Sequence, residues 1–165
     1  MTSIIRIEEI ETHSLEDLRN ESLREGFGHV ARLCEDWASG FNRFNAPGEA
    51  LFVALAGNEI VGVCGLNCDP YTCDARVGRI RRLYVARAHR RRGVGRALLN
   101  AVVTHARAHF KVLRVRTEEA GKFFSAQGFG FVTLEAETTH VLELSKAAEH
   151  ELEHRASNDH LTHRP

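Results

Sequence analysis

The sequence predicts an α/β fold with a mixed sheet, held in one domain. Three observations lead there. Segments of period two and period 3.6 follow one another in the order β-α-α-β-β-β-α-β-α-β-β. At 165 residues and 43% apolar composition the chain can bury one core of ordinary size. No internal repeat and no linker divides it, so residues 1–146 read as a single domain and 147–165 as a polar, His-rich tail.

Ile4, Ile5 and Ile7 mark the first strand. Ser14 with Asp17 three residues on is a loose capping box, opening a helix towards Arg24 that Gly26 and Gly28 end. His29 to Ser39 is a second helix, with Val30, Leu33, Cys34 and Trp37 on one face. Asn42 to Gly48 is a loop. Leu51 to Ala56 is a short buried strand, and the Gly57-Asn58 turn folds Ile60 to Leu66 back on it. The polar loop Asn67 to Asp74 leads to a strand over Val77 to Val85. Gly93 to His109 forms a helix with Leu98, Ala101, Val102 and His105 along one stripe. Leu113 to Arg116 is a strand, Thr117 caps a helix from Glu118 to Gln127, and Gly128 ends it. Phe131 to Glu135 and His140 to Leu144 complete the order as a hairpin.

Lys plus Arg and Asp plus Glu both number 22, which argues against a surface built to hold nucleic acid. The longest apolar run, Ala50 to Ala56, is far short of the roughly 20 residues of a membrane span. Glu8 and Glu9 come too early for a signal peptide, and four cysteines are too few for a disulfide scaffold. A soluble cytoplasmic protein is the expectation. Within the neutral whole, nine arginines crowd between Arg76 and Arg96 with no acid among them. A local basic stretch in a neutral chain points to one specific anion.

That stretch contains Leu83-Tyr84-Val85, then Arg90-Arg91-Arg92-Gly93-Val94-Gly95-Arg96, then the apolar helix. Amides at a helix start have no internal acceptor and lie at the positive end of the dipole. Glycines let a phosphate approach the backbone, and arginines add charge-assisted hydrogen bonds. The pattern is a phosphate or pyrophosphate cradle. No Lys-Ser or Lys-Thr follows, as a P-loop requires, and Leu98 stands where a Rossmann fingerprint has its third glycine.

Arg90-x-x-Gly93-x-Gly95 after a Leu-Tyr-Val strand resembles the acetyl-CoA-binding motif of the GNAT N-acetyltransferase superfamily. Ala120 to Phe129 is similar to that family's later helix, and the element order agrees from about Ile4 to Leu144. Asn42-Arg43-Phe44, Gly65-Leu66-Asn67, Asp69-Pro70-Tyr71 and Thr139-His140 together resemble a bacterial subgroup of uncharacterised members. The resemblance implies a twisted, mostly antiparallel mixed sheet flanked by helices. It implies acetyl-CoA as co-substrate and direct attack by a primary amine in a ternary complex. The acceptor would be a small-molecule or peptide amine, with no nucleic acid or membrane partner, and homodimers are common in such proteins. Backbone groups of Leu83 and Val85 would meet the pantetheine arm beside Tyr84. Amides of Arg91, Arg92, Gly93, Val94, Gly95 and Arg96 would hold the pyrophosphate, with Arg90 and Arg91 adding phosphate contacts and Phe124 lying near the thiol. The Val85 amide would polarise the acetyl carbonyl where two strands splay.

Three positions depart from the family pattern. Arg79 stands where several members carry a general-base Glu, Phe124 replaces a Tyr that often protonates the thiolate, and Thr117 falls near an expected Asn. His140, Tyr84 and Glu118 are the replacement candidates for proton transfer. The missing pair also leaves open a non-catalytic acyl-CoA-binding regulator on the same fold. Arg79 and Arg81 share a strand face and could bind a carboxylate or phosphate of the acceptor. Asn42, Arg43, Asn67, Asp69 and Tyr71 are the further acceptor-binding candidates. No metal is expected: His150-Glu151-Leu152-Glu153-His154 matches H-E-x-x-H but lies in a polar tail, and Cys64, Cys68 and Cys73 lack paired Cys-x-x-Cys spacing.

Overall fold

The computed structural model describes residues 1–10, 15–133 and 136–144. Seven strands and four helices follow one another as β1 (Thr2–Ile7), α1 (Glu16–Arg24), α2 (His29–Ser39), β2 (Ala50–Ala56), β3 (Glu59–Cys68), β4 (Val77–Val85), α3 (Val94–Ala106), β5 (Val112–Val115), α4 (Gly121–Ala126), β6 (Gly130–Phe131) and β7 (His140–Glu143). The sheet order is β1-β2-β3-β4-β5-β7-β6. Every neighbour pair is antiparallel except β4 with β5. The chain is therefore a mixed, mostly antiparallel sheet with flanking helices, as expected. No helix among the described residues is long and apolar enough to cross a membrane.

Three local features differ from the sequence reading, the first being that the strand expected over Phe131 to Glu135 is Gly130–Phe131, with Val132 and Thr133 outside it. Helix α4 begins at Gly121, not Glu118, because the Thr117 hydroxyl accepts the Ala120 amide at 2.9 Å and closes a turn of its own. Helix α3 stops at Ala106, and the amides of His109 and Phe110 both fold back onto the Ala106 carbonyl. Ser14, Leu134, Glu135 and the His-rich tail lie outside the described residues, as do the capping box, the end of the first hairpin strand and the H-E-x-x-H segment.

The core lies where α3 crosses one face of the sheet and α1 and α2 cover the other. Leu98, Leu99 and Val102 of α3 are buried on one side of the sheet, and Val61 and Val63 of β3 on the side of α1 and α2. Each such side chain contributes about 1.5–3 kcal/mol of transfer free energy. Gly62 and Gly65 let this packing close. A Cβ at Gly62 would meet Leu98 at 3.0 Å, and one at Gly65 would lie 2.3 Å from the Phe44 ring. Phe44 is itself buried, held in a left-handed conformation (φ 51°) at the end of the α2–β2 loop.

Strand β4 carries the irregularity that shapes the site. Gly65 pairs with Arg81 and Val63 with Tyr84, so Arg82 and Leu83 together face Cys64. Arg82 takes φ 58°, the extra residue of a β-bulge. Arg81 and Tyr84 therefore point to the same face, that of α1 and α2, although two residues lie between them. Beyond Arg79, paired with Arg114, β4 and β5 no longer pair, and the two strands part.

Candidate active site

The splay between β4 and β5 opens beside the start of α3. A 3₁₀ turn, Arg87–His89, and a tight loop join β4 to that helix. Arg91 (φ 60°) and Gly93 (φ 82°) both take left-handed conformations, which aims the loop amides outward. Ala97 is the first α3 residue whose amide finds a helical acceptor, the Gly93 carbonyl at 2.9 Å. The amides of Arg91 to Arg96 make no backbone hydrogen bond of 3.5 Å or less among the described residues, although residues 90–93 form a turn. Gly93 is required by its φ. Gly95 is not: a Cβ there would make only ordinary contacts at 3.7 Å with Phe123 and Val85. The chain's own packing gives no reason for a glycine at 95, whereas a ligand lying against these amides does.

Strand geometry also assigns the free edge. The Ala86 amide donates to the Val61 carbonyl at 2.8 Å, so Val61 and Ala86 form a hydrogen-bonded pair. Antiparallel pairs alternate, so the Val85 amide and carbonyl point away from β3, towards the splay. The Val85 carbonyl accepts Arg90 Nε at 2.8 Å, which leaves the Val85 amide facing the opening.

Arg90 is engaged within the protein. Its guanidinium grips the Glu25 carboxylate of α1 through both terminal nitrogens and lies over the Tyr84 ring. The Tyr84 hydroxyl donates to Glu25 Oε2 at 2.7 Å and lies 3.2 Å from Glu21 Oε1. Burial, reinforced by these carboxylates, pushes its pKa upward. Glu21 Oε1 also accepts the Arg87 amide at 2.6 Å. A three-part clasp thus ties α1 to the loop that carries the cradle. Arg91, Arg92 and Arg96 are exposed beside the first amides of α3.

On the far side of the splay, His140 of β7 is 4% exposed and pairs with Val115 of β5. Its Nδ1 lies 3.0 Å from Thr139 Oγ1. That hydroxyl donates to the Val115 carbonyl at 3.3 Å and accepts the Thr117 amide at 3.0 Å. Phe124 is buried, in ring contact with Phe123, Phe129 and His140. The neighbouring Phe123 is the ring that stands against Gly95. The sequence reading passed over it, although its place in α4 beside Phe124 was visible. Glu118 sits on the surface, 84% exposed, 3.7 Å from Arg116.

The acceptor-side candidates fall into separate groups. Asn42 and Asn67 exchange two amide hydrogen bonds of 2.8 and 2.9 Å, which pins the α2–β2 loop to β3. Arg43 Nε donates to the Trp37 carbonyl. Arg79 and Asp69 form a buried ion pair at 3.0 Å, with Arg79 donating also to the Glu137 carbonyl and to Thr138 Oγ1. Tyr71, largely exposed, covers the Arg79 guanidinium at 4.7 Å. Arg82 binds Asp36 of α2 at 2.9 Å. Arg81 makes no hydrogen bond or ion pair among the described residues. The thiols of Cys34, Cys64, Cys68 and Cys73 are free, and burial pushes that of Cys64 up to about 12. No metal-ligating cluster occurs among the described residues.

An outward-facing amide cradle at a helix start, next to two parting parallel strands, is a place for an acyl-carrying pyrophosphate ligand. The chain belongs to the acetyltransferase (GNAT) family, whose sequence model matches residues 12–131. Acyl transfer from acetyl-CoA is the chemistry of that family. Among solved structures, a protein designated an acetyltransferase from Exiguobacterium sp. 255-15 is 29% identical, with TM-score 0.82 over 90% of this chain and 97% of that one. A GNAT family acetyltransferase from Staphylococcus aureus Mu50 shares the fold at 15% identity and TM-score 0.63, over 87% and 99% of the two chains. A GNAT family N-acetyltransferase from Escherichia coli, solved in complex with CoA, does so at 15% identity and TM-score 0.66, over 87% and 81%. No curated protein matches the chain.

Proposed function

We propose that the protein is an N-acetyltransferase that moves the acetyl group of acetyl-CoA to a primary amine by direct attack in a ternary complex. The observation that carries this reading is one juxtaposition. The first amides of α3, and a glycine at 95 that internal packing does not require, lie at the end of the strand whose Val85 amide faces the splay.

Acetyl-CoA, when bound, supplies an activated thioester carbonyl. The chain does the rest. The amides of Arg91 to Arg96 hold the pyrophosphate, with Arg91, Arg92 and Arg96 close enough in sequence to add charge. Arg90 acts one step back: its grip on Glu25 and on the Val85 carbonyl fixes the loop. Phe123, rather than buried Phe124, flanks the ligand. The Val85 amide donates to the carbonyl oxygen as charge builds on it, and holding the amine within reach supplies the rest of the acceleration.

The proton leaving the amine needs an acceptor. Thr139 Oγ1 has one proton, and the Val115 carbonyl takes it. His140 Nδ1 is then the donor to Thr139, which leaves the Nε2 lone pair free to receive a proton. We assign that role to His140. Tyr84, fastened to two carboxylates, and surface-exposed Glu118 receive none.

Thiol release from acetyl-CoA, followed across a panel of primary amines, tests the reading. At least one amine should raise the rate well above hydrolysis. His140→Ala should lower kcat by about a hundredfold and leave the KM for acetyl-CoA unchanged. Tight binding of acetyl-CoA with no transfer to any amine would replace the enzyme by a non-catalytic acyl-CoA-binding regulator.

A further inference from the structure

Three arginines stand at the centre of β4, and two of them are neutralised inside the protein. Arg79 meets the buried Asp69 carboxylate at 3.0 and 3.4 Å. Arg82 meets Asp36 at 2.9 Å, although its Nε stays buried without a partner. Arg81, half-buried between them, has neither hydrogen bond nor ion pair among the described residues. An arginine losing water without gaining a carboxylate is costly. Its surroundings deepen the imbalance. Burial first and the Arg82 charge second hold the Arg81 guanidinium below its ordinary pKa, and the nearby acid, Asp36, is already occupied by Arg82.

Position gives this surplus charge a use. Arg81 lies two residues past Arg79, the last β4 residue paired with β5, so it sits at the mouth of the splay. It shares a sheet face with Tyr84, the face covered by α1 and α2, while α3 packs on the other. Its β3 partner is Gly65, whose side-chain place is filled by the apolar Phe44 ring, which offers the guanidinium no carboxylate. An acceptor entering from that face would meet Arg81 before it reached the Val85 amide.

Resting on the acetyltransferase reading, we propose that the acceptor carries an anionic group, a carboxylate or a phosphate, near its amine, and that Arg81 binds it. Arg79 is excluded from that role by its buried partner. Arg81 is thus a specificity residue: it selects among amines and takes no part in the chemistry.

The test uses matched pairs of amines: small amino acids against their carboxamides, and phosphoethanolamine against ethanolamine. Each pair is read twice, as acetyl transfer and as calorimetric binding to the CoA-loaded protein. The anionic member of at least one pair should have a KM and a Kd lower by about tenfold to a hundredfold. The carboxylate and phosphate arms identify which anion is preferred. Arg81→Gln should abolish the preference through KM with acetyl-CoA affinity unchanged, and Arg81→Lys should restore part of it. Equal use of charged and neutral amines, or a preference that survives Arg81→Gln, overturns the proposal. Selective binding without any transfer would sink the enzyme reading while leaving the anion site standing.

Discussion

Arg79 and Asp69 bury opposite charges side by side where a proton-accepting carboxylate was the family expectation. The pair holds together three segments: β4, the β3–β4 loop and the approach to β7 through Glu137 and Thr138. Asp69→Ala should therefore destabilise the fold by about 3–5 kcal/mol in urea unfolding, because it leaves a buried guanidinium uncompensated. The double replacement Arg79→Met with Asp69→Leu should cost less than Asp69→Ala alone. If Asp69→Ala is nearly neutral, the pair is not the tie described. Alternation by two placed Arg79 and Arg81 on one face from the sequence. It could not say which arginine would meet a carboxylate, because Asp69 reaches Arg79 only through the return of a loop. Phe123 and Phe124 were equally indistinct. Adjacent aromatics on a short helix differ in role only once the helix is docked, and docking buries Phe124 and turns Phe123 towards Gly95.

Helix α1 acts as a brace for the cradle. Glu25 holds Arg90 and Tyr84, and Glu21 holds Tyr84 and the Arg87 amide. The Arg90 guanidinium first and the Tyr84 hydroxyl second keep the Glu25 carboxyl below its usual 4.5. A carboxyl depressed on folding adds stability above its unfolded pKa and loses it as pH falls through the folded value. Glu25→Gln should thus lower stability by roughly 1 kcal/mol at neutral pH. The gap between the two proteins should close as the pH drops below about 4.5, when thermal unfolding is followed at a series of pH values. A gap that stays constant or widens in acid would show that Glu25 does not work through its charge. None of this brace was legible beforehand. The helix itself was read from its pattern, but which carboxylates on it would turn towards the β4–α3 loop depends on how α1 lies across the sheet. The bulge at Arg82 was hidden for a similar reason. No glycine marks it, and an arginine at φ 58° carries no sequence signature.

The sheet order places one parallel pair, β4 with β5, inside an otherwise antiparallel array. That pair is short and parts after Arg79, and α3 begins where the gap widens. Element order and most strand positions could be read from periodicity, since the central strands β2, β3 and β4 bury most of their residues. The glycine turn and the start of α3 were the most legible part of all. The proposed cradle resides in backbone amides, two glycines and a helix start, which local sequence determines. The acceptor side depends on side chains brought together from α2, β3, β4 and two loops, and contacts over that separation leave no local pattern.

The start of α3 is proposed to hold the pyrophosphate of acetyl-CoA. Calorimetric titration of the wild-type protein and of Gly95→Glu with acetyl-CoA addresses this most directly. A glutamate at the second position of α3 suits the helix dipole, so the fold should persist with an unchanged thermal midpoint. Its side chain and charge would occupy the place assigned to the pyrophosphate. The wild type should bind in the micromolar range, and the folded variant should lose about a hundredfold or more in affinity. Absence of binding by the wild type, or equal affinity in Gly95→Glu, would contradict this assignment.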